Sequence, residues 1–405
     1  MYLDIQNVNS YLSLNAKRLF SYFSFEKLQL NGKLKHIMQK LNWRRIVLKV
    51  GSALIAPDQD GCRSRYLLTI AQFIVRCRSR GIEVILVSSG SVAAGAHLFP
   101  DQQERTVTMK KAMAAAGQTE MMAMWDRFFD FPSAQILLTH GDLRDRERYE
   151  SIRETVFTLL EHGVLPIMNE NDTVTTDDLK VGDNDNLSAM VAAAADADAL
   201  MIFSDVDGLY NKNPNLHDDA ELLPEVKSID ESIYAMAGCA TSAVGTGGMK
   251  TKIEAAEKAT SHGITTYIIN GFKEQTFNQL LEGINPGTVF LPYEKPMQEA
   301  VHWMTHTANE QGEVVVEGSF DESLEGETGC IRGDEIVAVH GEFGIGDTIL
   351  VRSNDGTRLA KATANYSSCL LNFIADNEQS EFSDKMQDSI GPVISEKDIA
   401  LLEKS

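Results

Sequence analysis

The chain has 405 residues, enough for two or three domains, and its 43% hydrophobic and 23% charged residues are the ordinary balance of a globular protein. No apolar run approaches the roughly 20 residues needed to span a bilayer, so the sequence predicts a soluble protein with no membrane partner. Five cysteines, Cys62, Cys77, Cys239, Cys330 and Cys369, lie far apart in no metal-ligand spacing, which predicts free thiols in a reducing, cytoplasmic setting and no structural zinc.

The formal charge of -21 is unevenly spread. Residues 1–45 carry eight Lys/Arg against Asp4 and Glu26, whereas residues 309–405 carry seven Lys/Arg against twenty Asp/Glu. The acidic end argues against nucleic acid as a partner. The basic start, residues 1–43, holds Tyr11, Phe20, Tyr22, Phe23 and Phe25 but no apolar core of a secretory signal, and reads either as a helical extension packing on the body or as an amphipathic targeting segment.

From Arg45 onward strand-like and helical runs alternate. Ile46–Val50, Glu83–Val87, Ala134–Leu138, Val164–Met168, Leu200–Phe203 and Thr265–Ile269 read as strands. Tyr66–Arg80, Thr106–Phe129, Arg148–His162, Leu187–Ala195 and Met249–Ser261 read as helices, with Gly81 and Gly163 as stops. This alternation predicts an α/β fold, an open and mostly parallel sheet sandwiched by helices; strand order cannot be read from it. Near Pro286–Pro296 the character changes. Runs at 313–316, 335–340, 347–352 and 358–363, together with Ile331, are separated by glycine turns and predict a small all-β barrel or sandwich. The expected units are therefore 1–43, 44–300 and 309–395.

Three glycine turns lie where a strand ends or a helix begins: Lys49-Val50-Gly51-Ser52, Ser88-Ser89-Gly90-Ser91, and Gly245-Thr246-Gly247-Gly248-Met249-Lys250-Thr251-Lys252. Backbone N–H groups at such places point at anions. Glycine there is often simple backbone geometry, but Lys49 and Lys252 supply the positive charge that a phosphoryl group in flight needs. The third turn fails the G-x-x-x-x-G-K-[ST] pattern at Met249, which disfavours a P-loop enzyme, and no dinucleotide fingerprint follows a strand. Two further loops, Asn169-Glu170-Asn171-Asp172 and Val181-Gly182-Asp183-Asn184-Asp185-Asn186, crowd acids and amides between apolar runs, as a small charged ligand requires.

Together with Ser204-Asp205-Val206-Asp207-Gly208-Leu209-Tyr210, these motifs resemble, in order and over about residues 44–300, the glutamate 5-kinases of the amino acid kinase superfamily. The β segment downstream is similar in position to the PUA domain that many of them carry. The resemblance implies ATP-dependent phosphorylation of the side-chain carboxylate of L-glutamate to γ-glutamyl phosphate, the first step toward proline. It implies that Lys49 and Lys252 act on the transferring and leaving phosphates and that Asp185 holds both lysines. It places Gly51 and Gly90 as N–H donors to the phosphoryl, and Ser89, Asp172 and Asn184 at glutamate. For ATP it implies Lys49, Gly51, Ser204, Asp205, Thr246, Gly247, Gly248, Met249, Lys250, Thr251 and Lys252. Mg²⁺ is expected on ATP oxygens and water with no protein metal cage. Family members usually have Thr-Asp where this chain has Ser204-Asp205, and Gly-Thr-Ser where it has Gly51-Ser52-Ala53, so Ala53 is left out of the site. A homo-oligomer, dimer or tetramer, and feedback by proline also follow from the resemblance.

The alternatives are another carboxylate or carbamate kinase of the superfamily, which shares the lysine and glycine loops, and a non-catalytic regulatory or nucleic-acid-binding chain, against which the retained lysines speak. His140 and His162 are expected to be surface or capping residues. Met109, Met113, Met121, Met122 and Met124 fall at helical spacing, as core or subunit contacts do. The mixed-charge run Asp142–Arg148 reads as solvated surface.

Overall fold

The computed structural model describes residues 43–58, 60–99, 105–175, 184–237, 248–316, 331, 335–376, 392–395 and 399–402. The expected N-terminal extension, Thr246, Gly247, the loop 181–183, Cys239 and Cys330 lie outside the described residues. The larger sheet has eight strands: β1 (Arg45–Val50), β2 (Glu83–Ser88), β3 (Ser133–Leu138), β4 (Leu165–Glu170), β5 (Ala199–Ser204), β6 (Glu225–Val226), β7 (Thr265–Asn270) and β8 (Thr288–Phe290). They run β3-β4-β2-β1-β5-β7-β8-β6 across the sheet, with β7 and β8 antiparallel and the other pairings parallel.

The central strands β1 and β5 are buried at every position, which is why RIVLKV and ALMIFS read as near-continuous apolar runs without alternation. Helices Ser64–Arg78 and Val107–Asp126 contribute Leu67, Ile70, Phe73, Met121 and Trp125 to the core on one face. On the other, helices Arg146–Glu161, Asn184–Ala194 and Met249–Ser261 contribute Val156, Leu187, Val191, Ala255 and Ala259. Trp125 is fully buried and its indole Nε1–H donates to Ser88 Oγ at 3.0 Å, so it fastens the long helix to the end of β2; truncation to alanine costs about 3–5 kcal/mol at such a site. Met113 and Met121 are fully buried, Met121 in the core on this face, and Met122 and Met124 pack against it.

The second sheet has five strands: β9 (Gly312–Val316), β10 (Ile336–Gly341), β11 (Thr348–Ser353), β12 (Arg358–Thr363) and β13 (Ile399–Leu401). Their order is β10-β9-β11-β12-β13, with β9 and β11 parallel and the rest antiparallel. It has its own core, including Val314, Ile349, Val351 and Leu371. A helix that the sequence reading omitted, Ser368–Asp376, packs on β10. Among the described residues no helix is long and apolar enough to cross a membrane.

Candidate active site

The chain leaves β1 for β2 on one side, and β5 returns on the other, which opens a crevice beyond the carboxyl ends of the central strands. Lys49 is the fifth residue of β1, paired in register with Val87 of β2 and Ile202 of β5, so a cation stands in the middle of the sheet. It is only 6% exposed, as is Lys252 in the first turn of helix Met249–Ser261. Burying two ammonium groups is costly without an anion. Asp185, in the first turn of helix Asn184–Ala194 and 2% exposed, supplies it. Its Oδ1 lies 2.6 Å from Lys49 Nζ and its Oδ2 3.0 Å from Lys252 Nζ. The Thr251 hydroxyl adds a 2.8 Å bond to Oδ2. Burial pushes the Asp185 carboxyl up, but Lys252 and Lys49 outweigh burial and hold it well below the usual carboxylate range. The result is two fixed cations around one anion, a net positive charge with few degrees of freedom.

One cavity adjoins this cluster at Lys252, and a second opens on the far side of Glu170. The larger, about 520 Å³, is lined by the loop after β5 from Ser204 to Tyr210 and by Gly248, Met249, Lys252, Asn270 and Lys273. Ser204 Oγ donates to Asp205 Oδ1 at 3.0 Å. Asp207 is held by Lys273 Nζ at 2.6 Å and Asn270 Nδ2 at 2.8 Å. Burial raises the Asp207 carboxyl, and the Lys273 and Asn270 bonds more than offset it, leaving it below its ordinary value. The smaller cavity, about 280 Å³, is lined by Ser91, Gln118, Gln135, Glu170 and Asp172 among others. Its wall reaches the lysine cluster through a bond from the Glu170 N–H to Asn184 Oδ1 at 3.2 Å, next in sequence to Asp185.

Lys252, Ser204, Asp205, Gly248 and Met249 thus line the large cavity, and Asp172 the small one. Ser89 is buried at the end of β2 with its N–H on the Val50 carbonyl at 3.0 Å; neither it nor Asn184 is among the residues lining the two cavities. Thr251 faces Asp185, and Lys250 is exposed, 4.0 Å from Glu254. Gly51 departs from expectation: its N–H donates to the Phe203 carbonyl at 3.1 Å, joining β1 to β5, so this amide is not available to a phosphoryl group. The next amides, of Ser52 and Ala53, open the short helix Ser52–Ile55 and have no preceding turn to bond. Gly90 has φ +101, and a Cβ there would lie 2.7 Å from Ile55 Cβ, so the turn after β2 needs glycine.

His140 also departs from expectation. It is 8% exposed, with Nε2 4.0 Å from Glu170 Oε2, because the Thr139–Asp142 capping box turns the start of helix His140–Arg144 inward. His162 is exposed at the end of its helix, Nδ1 2.8 Å from the Thr158 carbonyl oxygen. The sequence reading missed Ser91, whose Oγ donates to Asp172 Oδ2 at 2.8 Å, and Gln118, bonded to Asn169 at 2.8 Å. It also missed Asn270 and Lys273. Ser91 and Asn169 lie in the Ser88–Ser91 turn and the acid- and amide-rich loop; Gln118 sits in an Ala- and Met-rich helix that carries no signal of a site.

The amino acid kinase family model matches residues 44–270. The chain is 90% identical over 368 residues to glutamate 5-kinase 1 of Pseudoalteromonas translucida strain TAC 125, covering 91% of this chain and 100% of that protein. It is 53% identical to a glutamate 5-kinase of Idiomarina loihiensis, over 91% of this chain and all of that protein, and 42% identical to one of Salinibacter ruber, over 89% of this chain and 98% of that protein. With Lys49, Asp185 and Lys252 gathered at the carboxyl end of β1 in a mostly parallel sheet, and likeness of this extent, the chain belongs to the glutamate 5-kinase family within the amino acid kinases.

Proposed function

We propose that this protein transfers the γ-phosphoryl group of ATP to the side-chain carboxylate of L-glutamate, giving ADP and γ-glutamyl phosphate, the first step toward proline. The observation that carries the reading is the Lys49–Asp185–Lys252 cluster beside a cavity large enough for a nucleotide, with a second cavity, lined by the buried acids Glu170 and Asp172, linked to it through the Glu170–Asn184 bond. A glutamate oxygen attacks the γ-phosphorus as the bond to the β,γ-bridging oxygen breaks. The chain needs no nucleophile of its own, so its contribution is position and charge. Lys49 and Lys252 face charge that moves from the γ- to the β-phosphate, and Asp185 fixes both before the reaction begins. The loop from Ser204 to Tyr210 holds the nucleotide, together with Thr246 to Met249; Lys250, exposed, is left out.

Mg²⁺ is proposed to arrive with ATP. The donor set fits an ion bound mainly through phosphate oxygens and water, since the buried acid of the cluster is shared between two ammonium groups. When bound, the ion neutralises part of the β- and γ-phosphate charge. Family membership further supports a cytoplasmic homo-oligomer, dimer or tetramer, with proline as feedback inhibitor, a kinase unit over 44–300 and a PUA-like unit over 309–395.

The deciding experiment is a coupled assay of ADP release with Mg-ATP and L-glutamate, aspartate, carbamate or UMP. Turnover with glutamate is expected, and much less with aspartate, whose shorter side chain misplaces the attacking oxygen. Turnover with carbamate or UMP and none with glutamate overturns the assignment in favour of another kinase of the superfamily.

A further inference from the structure

We propose that Gln118 is a specificity residue of the smaller cavity: its side-chain amide binds the α-carboxylate of the amino acid, while Asp172 binds the α-ammonium. This rests on reading the site as that of an L-glutamate kinase. Gln118 lies on helix Val107–Asp126 and is 9% exposed. Its Oε1 accepts a 2.8 Å bond from Asn169 Nδ2, which fixes the carboxamide and leaves Nε2 as the uncommitted end. Among the described residues, Nε2 has no partner. Asp172 is 3% exposed; its Oδ2 accepts from Ser91, and its Oδ1 likewise has no partner among the described residues. Burial raises this carboxyl, with the Ser91 hydroxyl opposing, as expected of an acid that lacks its cation.

Both side chains line the same 280 Å³ cavity. A buried donor and a buried acceptor left unmatched in one cavity are costly to the fold unless a ligand supplies the complements. A carboxylate alone would satisfy Gln118 but add another negative charge to a cavity that Asp172 and Glu170 already line. An amine alone would satisfy Asp172 and leave Gln118 unmatched. An α-amino acid carries both groups on one carbon and answers both. The choice of an amide is informative, because Lys or Arg at 118 would pair with Asp172 and remove the charge that the ammonium needs. Gln118 reads the carboxylate without competing for its neighbour. The substrate end that remains unheld is the side-chain carboxylate, the end that must reach Lys49 and Lys252.

Gln118 and Ser91, the hydroxyl partner of Asp172, are brought together by close packing of helices. Gly117, next to Gln118, and Gly95, on the helix that begins with Ser91, meet so tightly that a Cβ on either would come within 2.0 Å of backbone oxygen. The cavity wall is therefore set by rigid elements.

The test is Gln118→Leu in the full-length enzyme, measured by ADP release. The KM for L-glutamate should rise about tenfold or more, with the KM for ATP within about twofold and kcat within about threefold, the pattern of lost ground-state binding. Two competitive inhibitors separate the contacts. Glutarate lacks the α-ammonium, and 4-aminobutyrate lacks the α-carboxylate. Gln118→Leu should weaken glutarate and spare 4-aminobutyrate; Asp172→Asn should do the reverse. A purely structural Gln118 would weaken both alike. Should the leucine variant fail to fold, Gln118→Glu keeps the shape and a polar contact to Asn169 while setting a carboxylate against the substrate's own, and its loss for glutamate should exceed tenfold. An unchanged glutamate KM in a folded variant, or equal loss for the two inhibitors, overturns the role of Gln118 and leaves the kinase reading intact. A wild-type enzyme that releases no ADP with L-glutamate removes the kinase reading itself.

Discussion

Lys49, Asp185 and Lys252 gain their properties from one another. Each lysine is buried and tolerable only because Asp185 shares its two oxygens between them, at 2.6 and 3.0 Å. Removing one member of a buried ion pair typically costs about 3–5 kcal/mol, because the remaining charge is left without its partner. Chemistry and stability are thus entangled at this cluster, and kinetic comparison needs variants shown to be folded. Lys49→Ala and Lys252→Ala are each expected to lower kcat by roughly two to three orders of magnitude, as loss of other preorganised charges does, with smaller effects on the glutamate KM. Asp185→Asn keeps the shape and removes the charge that positions both ammonium groups. Combined with either lysine variant it should cost less than the sum of the two, since the second change acts on an interaction already lost. Strictly additive losses, measured as kcat/KM in a double-mutant cycle, would show that the two lysines work independently of Asp185. A Lys252→Ala enzyme with normal kcat would remove this half of the catalytic assignment.

The contact between helix Ser91–Gly95 and helix Val107–Asp126 decides where Ser91 and Gln118 sit. A Cβ at Gly117 would stand 2.0 Å from the Ser91 carbonyl oxygen and 2.4 Å from Gly95 N, both backbone atoms that cannot swing aside. Gly117→Ala therefore forces the helices apart, at a cost of about 1–3 kcal/mol or more for overpacking. Calorimetry should show Tm lowered by several degrees, and the glutamate KM should rise because Ser91 moves away from Asp172; an unchanged Tm would show that the helices separate freely. This element also shows what a sequence can disclose. The strands were legible because central parallel strands are continuous apolar runs, and helix Met249–Ser261 was read to its ends because Gly248 precedes a clean helical period. Asp185 was legible as an acid in an unusual polar loop. Gln118 was not, since its place in the site depends on which helix crosses which, and periodicity within one helix carries no record of its neighbour. The same blindness hid the strand order and the engagement of the Gly51 amide by Phe203, a contact across 152 positions of sequence that only the β1–β5 pairing creates.

At the scale of the whole chain, helix Glu299–His306 ties the smaller sheet to the larger. It packs on β12 and β13; the Trp303 indole donates to the Leu143 carbonyl at 2.9 Å, and Lys361 of β12 donates to the Ala308 carbonyl at 2.8 Å. Ala400 of β13 is buried in the same cluster as Leu187 and Ala255, so the smaller sheet is docked on the core that carries the lysine-bearing helix. Three histidines pack at tilted angles in this junction: His262 lies 4.6 Å from His302, and His302 4.8 Å from His306, ring centre to ring centre. Burial lowers His302 to about 3, with His306 adding to it, and lowers His306 to about 4, helped by Lys258 and Lys361. Burial lowers His262 as well, against Asp196 and Glu299. All three are neutral in the folded protein at pH 7, whereas in the unfolded chain they take up protons near pH 6.5. The unfolded state then binds more protons between about pH 6.5 and 4, and stability must fall as pH falls through that window, by at most about 1.4 kcal/mol per pH unit for each histidine. Calorimetric Tm should decline from pH 7 toward pH 5. His302→Gln, which keeps a side chain able to bond the Lys258 carbonyl but cannot titrate, should flatten that decline. If the slope is the same in both proteins, His302 is not what makes the junction sensitive to acid.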